Sequence, residues 1–197
     1  MAKQVQTKLI IKMRQRNRAT TFFRPLLILP MLIFVGTFST SNTGAVSIAF
    51  TLAVPVLLAL VFRNKYPSYI LGFNHSFLEL QNRIAIYALY LTDVFPTIEK
   101  NRSVVITLPE IRGGKALNRW LPLVKWFLAI PLYVVGIVYL LVTIIYTVLA
   151  WFSIVFTGKY PKFAIEFVVG TVDYWNRVSG YAFILVTDEY PSFSLTA

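Results

Sequence analysis

The chain has 197 residues, of which 57% are hydrophobic and 14% are charged, and its mean hydropathy is +0.66. Soluble domains carry about 25% charged residues, so this chain has too little polar surface to cover a water-soluble globule of its size. Cysteine is absent, which excludes disulfides, thiolate nucleophiles and cysteine-ligated metals. The formal net charge is +11, but the basic residues flank the apolar segments and no nucleic-acid-binding motif is present, so we expect no nucleic-acid partner.

Two long segments carry no ionised side chain. The first lies between Arg24 and Arg63, and the second lies between Lys125 and Lys159. One bilayer crossing takes about 20 residues, so the first segment is long enough for two crossings. The second segment is slightly short for two crossings and far too long for one. The pattern predicts an all-α integral membrane protein.

In the first half of the chain, the sequence predicts helices over residues 22–38 and 45–62, joined by a polar turn at 37–44. Basic residues flank both ends of this hairpin (about 22–62), so we expect both ends and the N-terminus in the cytoplasm. Each helix is near the lower length limit for crossing, about 17 residues, so a re-entrant hairpin remains an alternative. An amphipathic helix at about 67–92 follows, and its central polar residues favour a place at the membrane interface.

In the second half, the sequence predicts a strand-like lead-in at 103–109, which we expect to pair with the similar lead-in at 4–11. A second hairpin follows at about 120–157, with helices at 120–136 and 140–156 and a turn near 136–139 that has no polar signal. The last segment, about 162–187, has polar residues at helical spacing and is predicted to be a second interfacial helix.

The two halves share a series of short motifs in the same order. They are Asn-Arg at 17–18 and 118–119, proline at 30 and 131, glycine at 36 and 136, Lys-Tyr-Pro at 65–67 and 159–161, Asn-Arg at 82–83 and 176–177, and Thr-Asp at 92–93 and 187–188. We interpret this order as a tandem repeat of one unit, with copies at about 1–101 and 102–197.

The best candidate polar sites are two acid–arginine pairs at matching places in the halves: Glu79 with Arg83, and Asp173 with Arg177. We interpret them as structural pairs that lower the cost of placing arginine at the membrane surface or that dock one copy against the other, and contacts from the arginines to lipid-headgroup phosphates are the alternative. Interfacial anchors are expected where lysine reaches headgroups and aromatic rings lie at headgroup depth. These anchors are Lys65, Tyr66, Lys159, Tyr160, Trp120 and Trp126.

No catalytic, cofactor-binding or metal site is assigned from the sequence. The single histidine, His75, has no local catalytic partners, and no Walker, dinucleotide-binding or His-Glu-x-x-His motif is present. We therefore expect a protein that is not an enzyme and that needs no cofactor. A membrane enzyme that uses Asp93, Asp188 or Glu79 is a minor alternative.

Three strings of the second half, at 119–131, 156–161 and 187–193, resemble a prokaryotic membrane-protein family known as domain of unknown function 4389. The resemblance reaches the first half through the motifs at 65–67 and 91–93. That half departs from the pattern at Arg63, Asn64 and Phe95. The resemblance implies the hairpin-plus-segment unit and a prokaryotic source, and it implies no activity.

We therefore expect a non-catalytic scaffold or accessory subunit of a larger membrane complex, located in the cytoplasmic membrane of a prokaryote. Its expected partners are other membrane-protein subunits and anionic lipid headgroups on the cytoplasmic face. The alternative is a lipid-binding or transport protein with a headgroup site where the two copies meet.

Overall fold

The computed structural model describes residues 4–11, 16–37, 48–99 and 103–195, and for 48–51 it describes the backbone alone. The chain is mostly helical. Its helices are α1 (Arg18–Leu27), α2 (Leu29–Gly36), α3 (Ile48–Arg63), α4 (Ser68–Ala88), α5 (Lys125–Leu128), α6 (Ile130–Thr157) and α7 (Lys162–Ala182). Short 3₁₀ turns lie at Arg112–Gly114 and Leu121–Leu123, and the two strands are β1 (Gln6–Leu9) and β2 (Val104–Thr107).

The two lead-in segments form an antiparallel pair of strands. Gln6 pairs with Thr107 and Leu9 pairs with Val104. Alternate residues of β2 are buried, as expected for a strand with one covered face. The predicted pairing of the two lead-ins is confirmed.

The helices and strands are arranged in three layers. Helices α4 and α7 form the middle layer and contact each other. The strands cover one side, with β2 against α4 and β1 against α7. On the other side α6 packs along α7, and residues of α1 and α2 pack on the second half of α4. The largest core cluster joins residues of both strands, α3, α4 and α7.

The second predicted hairpin, over 120–157, is wrong. Residues 130–157 form one continuous helix, α6, and the 3₁₀ turn Leu121–Leu123 and the short helix α5 precede it. Gly136 makes no turn because it serves helix packing, and a Cβ there would lie 2.7 Å from the Trp175 ring. The helix ends at Gly158, whose left-handed backbone (φ 74°) favours glycine.

In the first half, the predicted helix at 22–38 corresponds to α1 and α2, which are divided at Ile28. Pro30 has no N–H to continue the helical hydrogen bonding, which accounts for the division. Helix α3 lies within the second predicted helix, and the predicted turn at 37–44 falls, apart from Thr37, outside the described residues. Two helical stretches, Arg18–Gly36 and Ile130–Thr157, are long and apolar enough to cross a membrane.

The helices predicted at about 67–92 and 162–187 are confirmed as α4 and α7. The polar face predicted for α7 is partly covered, since Gly170 packs on Leu195 of the C-terminal segment and Gly180 packs on Val5 of the first lead-in.

Candidate functional site

A buried cation in the first half is held by the segment that follows α4. Arg24 is 1% exposed, forms an ion pair with Asp93, and donates to the carbonyls of Thr92 (2.8 Å) and Tyr87 (3.1 Å). Its guanidinium also lies 4.5 Å from the centre of the Tyr87 ring. The backbone N–H of Asn17 donates to the second Asp93 oxygen over 3.4 Å. We name the Arg24–Asp93 ion pair and these bonds the first clasp.

A second cation strengthens the first clasp. Arg16 is 8% exposed, donates to the carbonyl of Leu91, and has its Nη1 3.9 Å from Asp93 Oδ2. Burial lowers the pKa of Arg16, while Asp93 acts in the opposite direction. Two cations on one carboxylate fix the chain after α4 against the start of α1, because separating them would leave buried charge unpaired.

The second half contains a similar arrangement. Lys125 is fully buried, and its Nζ lies 2.7 Å from Asp188 Oδ1 and donates to the carbonyl of Thr187 over 2.7 Å. The backbone N–H of Asn118 donates to the other oxygen of Asp188. We name this set the second clasp. Burial lowers the pKa of Lys125, and its bond and charge interaction with Asp188 oppose that shift.

The asparagines of the two Asn-Arg motifs at 17–18 and 118–119 also begin local structure. Asn17 Oδ1 accepts from the N–H groups of Ala19 (3.0 Å) and Thr20 (3.3 Å) at the start of α1. Asn118 Oδ1 accepts from Trp120 (2.9 Å) and Leu121 (3.3 Å) before the 3₁₀ turn. Asn17 is therefore the N-cap of α1, Asn118 makes an equivalent pair of bonds before the 3₁₀ turn, and each asparagine also lies against its clasp carboxylate.

The two predicted acid–arginine pairs are present. Arg83 Nη2 lies 3.8 Å from Glu79 Oε2, and Arg177 Nε lies 3.2 Å from Asp173 Oδ2. The arginines are only 3% and 2% exposed. These pairs therefore lie within the fold.

The remaining donors of the two arginines bind the segment that ends each half. Arg83 donates to the carbonyls of Thr97 (3.0 Å) and Glu99. Arg177 donates to the Ser192 hydroxyl and to the Ser194 carbonyl, both over 2.6 Å. Since the guanidinium donors are already used inside the protein, this geometry disfavours them as ligands for a headgroup phosphate.

The two predicted tyrosine anchors lie inside the fold and not at a headgroup surface. Tyr66 is 5% exposed and donates to the carbonyl of Ile184 (2.7 Å), and Tyr160 donates to the carbonyl of Leu89 (3.3 Å). Tyr66 of the first half thus bonds to a residue just after α7, and Tyr160 of the second half bonds to a residue just after α4. Burial raises the pKa of both tyrosines to about 12.

The other predicted anchors divide into two groups. Lys65, Lys159 and Trp120 are exposed, as the anchor interpretation requires. Trp126 is partly buried, and its Nε1 donates to the carbonyl of Ala182 over 2.6 Å. This tryptophan therefore joins α5 to the end of α7.

The two halves meet at a reciprocal pair of amides. Asn82 Nδ2 donates to Asn176 Oδ1 and Asn176 Nδ2 donates to Asn82 Oδ1, both over 2.8 Å. Asn176 also donates to Thr7 of β1 over 2.9 Å. Sequence reasoning did not find this pair, although the Asn-Arg motifs at 82–83 and 176–177 were the available signal.

Beside this amide pair lies a groove of about 240 Å³ bounded by α4, α6 and α7. Asn82, Asn176 and Ser179 supply polar groups, and Leu140 and Trp175 supply apolar surface. The Trp175 Nε1 atom is buried and has no acceptor among the residues that the structure describes. A ligand with a hydrogen-bond acceptor and an apolar body would fit this lining.

The outer surface of α1, α2 and α6 is apolar. On α6 the exposed residues recur at helical spacing and include Ile137 (53%), Leu141 (58%) and Ile145 (57%), and on α1 and α2 they include Leu26 (64%) and Ile33 (68%). We name this surface the apolar face. Exposed apolar surface of this extent marks contact with a membrane or a protein partner.

Comparison with known proteins gives one match. Residues 120–194 match a family described as Domain of unknown function (DUF4389). No curated protein and no solved structure matches the chain. The matched residues include Lys125 and Asp188 of the second clasp, α6, α7 and the Asp173–Arg177 pair.

Proposed function

We propose that the chain is a non-catalytic membrane scaffold or accessory subunit in the cytoplasmic membrane of a prokaryote, built from two copies of one unit. The observation that carries this proposal is the contrast between two surfaces. The polar side chains at the candidate positions bind other parts of the same chain, whereas the apolar face has no covering element among the described residues.

The two-copy arrangement is supported by contacts that recur at matching places. The clasps, the acid–arginine pairs and the two buried tyrosines each appear once in each half. The two tyrosine contacts cross between the halves, since Tyr66 bonds to Ile184 and Tyr160 bonds to Leu89. Asn82 and Asn176 also bond directly to each other across the halves. Such exchange is what a two-fold relation between copies produces.

The membrane location is supported by the two long apolar helical stretches and by the apolar face. Exposed basic residues at the ends of α3 and α6, such as Arg63, Lys65 and Lys159, favour contact with anionic headgroups on the cytoplasmic side. Under this proposal the N-terminus lies in the cytoplasm.

The scaffold proposal is tested by purification of the tagged full-length chain from native membranes in mild detergent. We expect a membrane protein to copurify at fixed stoichiometry through two independent steps. Substitution of Leu141→Asn with Ile145→Asn on the apolar face should weaken this association by weakening attachment to the membrane, and Lys8→Ala on the strand layer should leave it unchanged. A monodisperse chain with no partner would contradict the proposal.

A second candidate is a lipid-binding or transport protein, and the groove beside Asn82 and Asn176 favours it. The Trp175 N–H, which has no acceptor among the described residues, would donate to a lipid ester carbonyl, and this favours the groove over Arg83 or Arg177 as the site. Native mass spectrometry of the purified chain should then show bound lipid that Trp175→Phe releases. Equal lipid retention in the variant would remove this site.

A further inference from the structure

The orientation of α6 in a membrane is constrained by α7, which runs antiparallel along residues 132–146 of α6. Near the start of α6, Tyr174 donates to the carbonyl of Leu132 over 2.8 Å. In the middle, the hydroxyls of Thr143 and Thr171 bond over 3.0 Å. About one turn further along α6, the rings of Tyr146 and Phe163 lie 5.7 Å apart, beside the start of α7. Any tilt of α6 is therefore shared by α7.

The opposite side of α7 is charged. Glu166 is exposed, and Glu166 and Asp173 line a cavity of about 620 Å³ that α7 shares with Lys8 and other residues of the strand layer. If α6 stood upright across a bilayer, α7 would place the exposed Glu166 carboxylate at membrane depth, together with the Asp173–Arg177 ion pair. Carboxylates at that depth are strongly disfavoured.

The exposed cations give an independent constraint, because they lie at both ends of α6. Arg112, Lys115 and Arg119 are exposed in the segment that leads into α5 and α6. Lys159 and Lys162 are exposed directly after α6.

Backbone bonds add further cations to both groups. The N–H of Arg16 donates to Gly158 over 2.9 Å, which brings the exposed Arg18 to the C-terminal group. The N–H of Tyr66 donates to Gly113 over 2.9 Å, which brings Arg63 and Lys65 to the N-terminal group. An upright helix would place one of these basic groups on each side of the membrane, against the positive-inside rule.

We infer that the protein lies along the membrane and does not cross it. The three layers are parallel to the bilayer plane, and α1, α2 and α6 enter one leaflet through the apolar face. The middle layer and the strands stay on the cytoplasmic side. The partner of the apolar face is thus a single cytoplasmic leaflet that contains anionic lipid, whose headgroups meet the cations at both ends of α6.

This inference rests on the proposed membrane location and is tested separately from it. The full-length chain has no cysteine, so single cysteines report on their own position. Lys115→Cys lies before α6 and Lys159→Cys lies after it, and both native side chains are exposed. Leu141→Cys lies between them on the apolar face, where the native side chain is 58% exposed.

The experiment labels these variants with a membrane-impermeant maleimide in sealed inverted and right-side-out vesicles. We expect the two end positions to react only from the cytoplasmic side, and Leu141→Cys to react at least tenfold more slowly until detergent is added. Reaction of the two ends from opposite sides would overturn the inference and leave a membrane-spanning protein. Protection of both ends from both sides would also overturn it.

Two other outcomes are distinguished from these. If the chain is found in the soluble fraction with Leu141→Cys reactive, the membrane proposal fails as well. If Leu141→Cys is protected in a detergent-free soluble oligomer, a second copy of the chain covers the apolar face and the lipid assignment is wrong.

Discussion

The apolar part of the first half is divided among α1, α2 and α3, whereas the second half concentrates it in the single helix α6. Pro30 and Pro131 stand at the same place in the two halves, each in the first turn of the helix that follows a break, at Ile28 and at Ala129. The helices differ beyond this point, because α2 ends at Gly36 whereas α6 continues to Thr157. Both versions nevertheless deliver a cation to a clasp at the same place.

The clasps differ in the cation that each contains. Arg24 has carbonyl partners at Tyr87 and Thr92 in addition to Asp93. Arginine side chains in general carry a permanent charge in proteins. Lys125 has fewer partners, and an ammonium is able to lose its proton when it is buried. The same fold therefore tolerates a permanently charged cation in one clasp and a titratable cation in the other.

The largest effect should come from removing the carboxylates of the two clasps. Asp93→Ala and Asp188→Ala each leave a buried cation without its partner, which costs about 3–5 kcal/mol. Thermal unfolding in detergent micelles measures this loss. The loss in Asp188→Ala should shrink as the pH rises towards 10.5, because neutral Lys125 needs no counter-ion, while Asp93→Ala should stay equally unstable.

The neighbouring exposed carboxylate serves as the control for this pair. Glu189→Ala should change the free energy of unfolding by less than about 0.5 kcal/mol, as surface substitutions do. Equal pH dependence of the two aspartate variants would break the proposed difference between the clasps.

A smaller effect should appear at alkaline pH through the buried tyrosines. Burial raises the pKa of Tyr66 from 10.0 to about 12, so its phenol ionises in the unfolded chain first. Its contribution to stability is full below pH 10 and is lost between pH 10 and 12, by about 2–3 kcal/mol. Unfolding of Tyr66→Phe should show a shallower fall over this range than the native chain, and an identical fall would be contrary to this account.

Gly36 and Gly136 lie at matching places in the two halves but differ in the space around them. A Cβ at Gly136 would lie 2.7 Å from the Trp175 ring, whereas nothing lies within 4 Å of a Cβ at Gly36. Gly136→Ala should therefore destabilise the fold by about 1–3 kcal/mol through overpacking. Gly36→Ala should stabilise it by up to about 1 kcal/mol through helix propensity, and opposite shifts in melting temperature would report this difference.

The smallest effect should come from removing the side-chain acceptors Asn17 and Asn118. Asn17→Ala removes the side-chain acceptor of the ten-residue helix α1 and should cost about 1 kcal/mol. Asn118→Ala should cost less, because the element that follows is a three-residue 3₁₀ turn. Melting temperatures of the two variants in the same detergent test the order, and a larger loss in Asn118→Ala would reverse it.

The sequence predicted the strand pairing, helices α4 and α7, and both acid–arginine pairs, because these follow from local periodicity and from i, i+4 spacing. It failed at Gly136, where a glycine in an apolar run reads equally as a turn or as a place of close helix contact. Only the position of Trp175 in space distinguishes the two. The same limit applied to Tyr66, whose acceptor at Ile184 is more than a hundred residues away.

The residues of both clasps recur in the sequence, but the sequence analysis did not predict their ion pairs. Arg24 and Lys125 end the basic flanks before the charge-free segments, which made them look like topology signals, and Asp93 and Asp188 had no visible partner. Since the two Thr-Asp motifs recur, pairing them with the recurring cations was possible in principle. Burial of the cations, which decides the matter, is a property of the packed helices alone.

The central claim is that the apolar face contacts lipid, and flotation of the purified chain with liposomes tests it most directly. The gradient should contain 1 M NaCl, which screens attraction between headgroups and exposed cations. We expect the chain to float with the vesicles at this salt concentration and to require detergent for release. A chain that stays at the bottom and remains monodisperse in plain buffer would contradict the account.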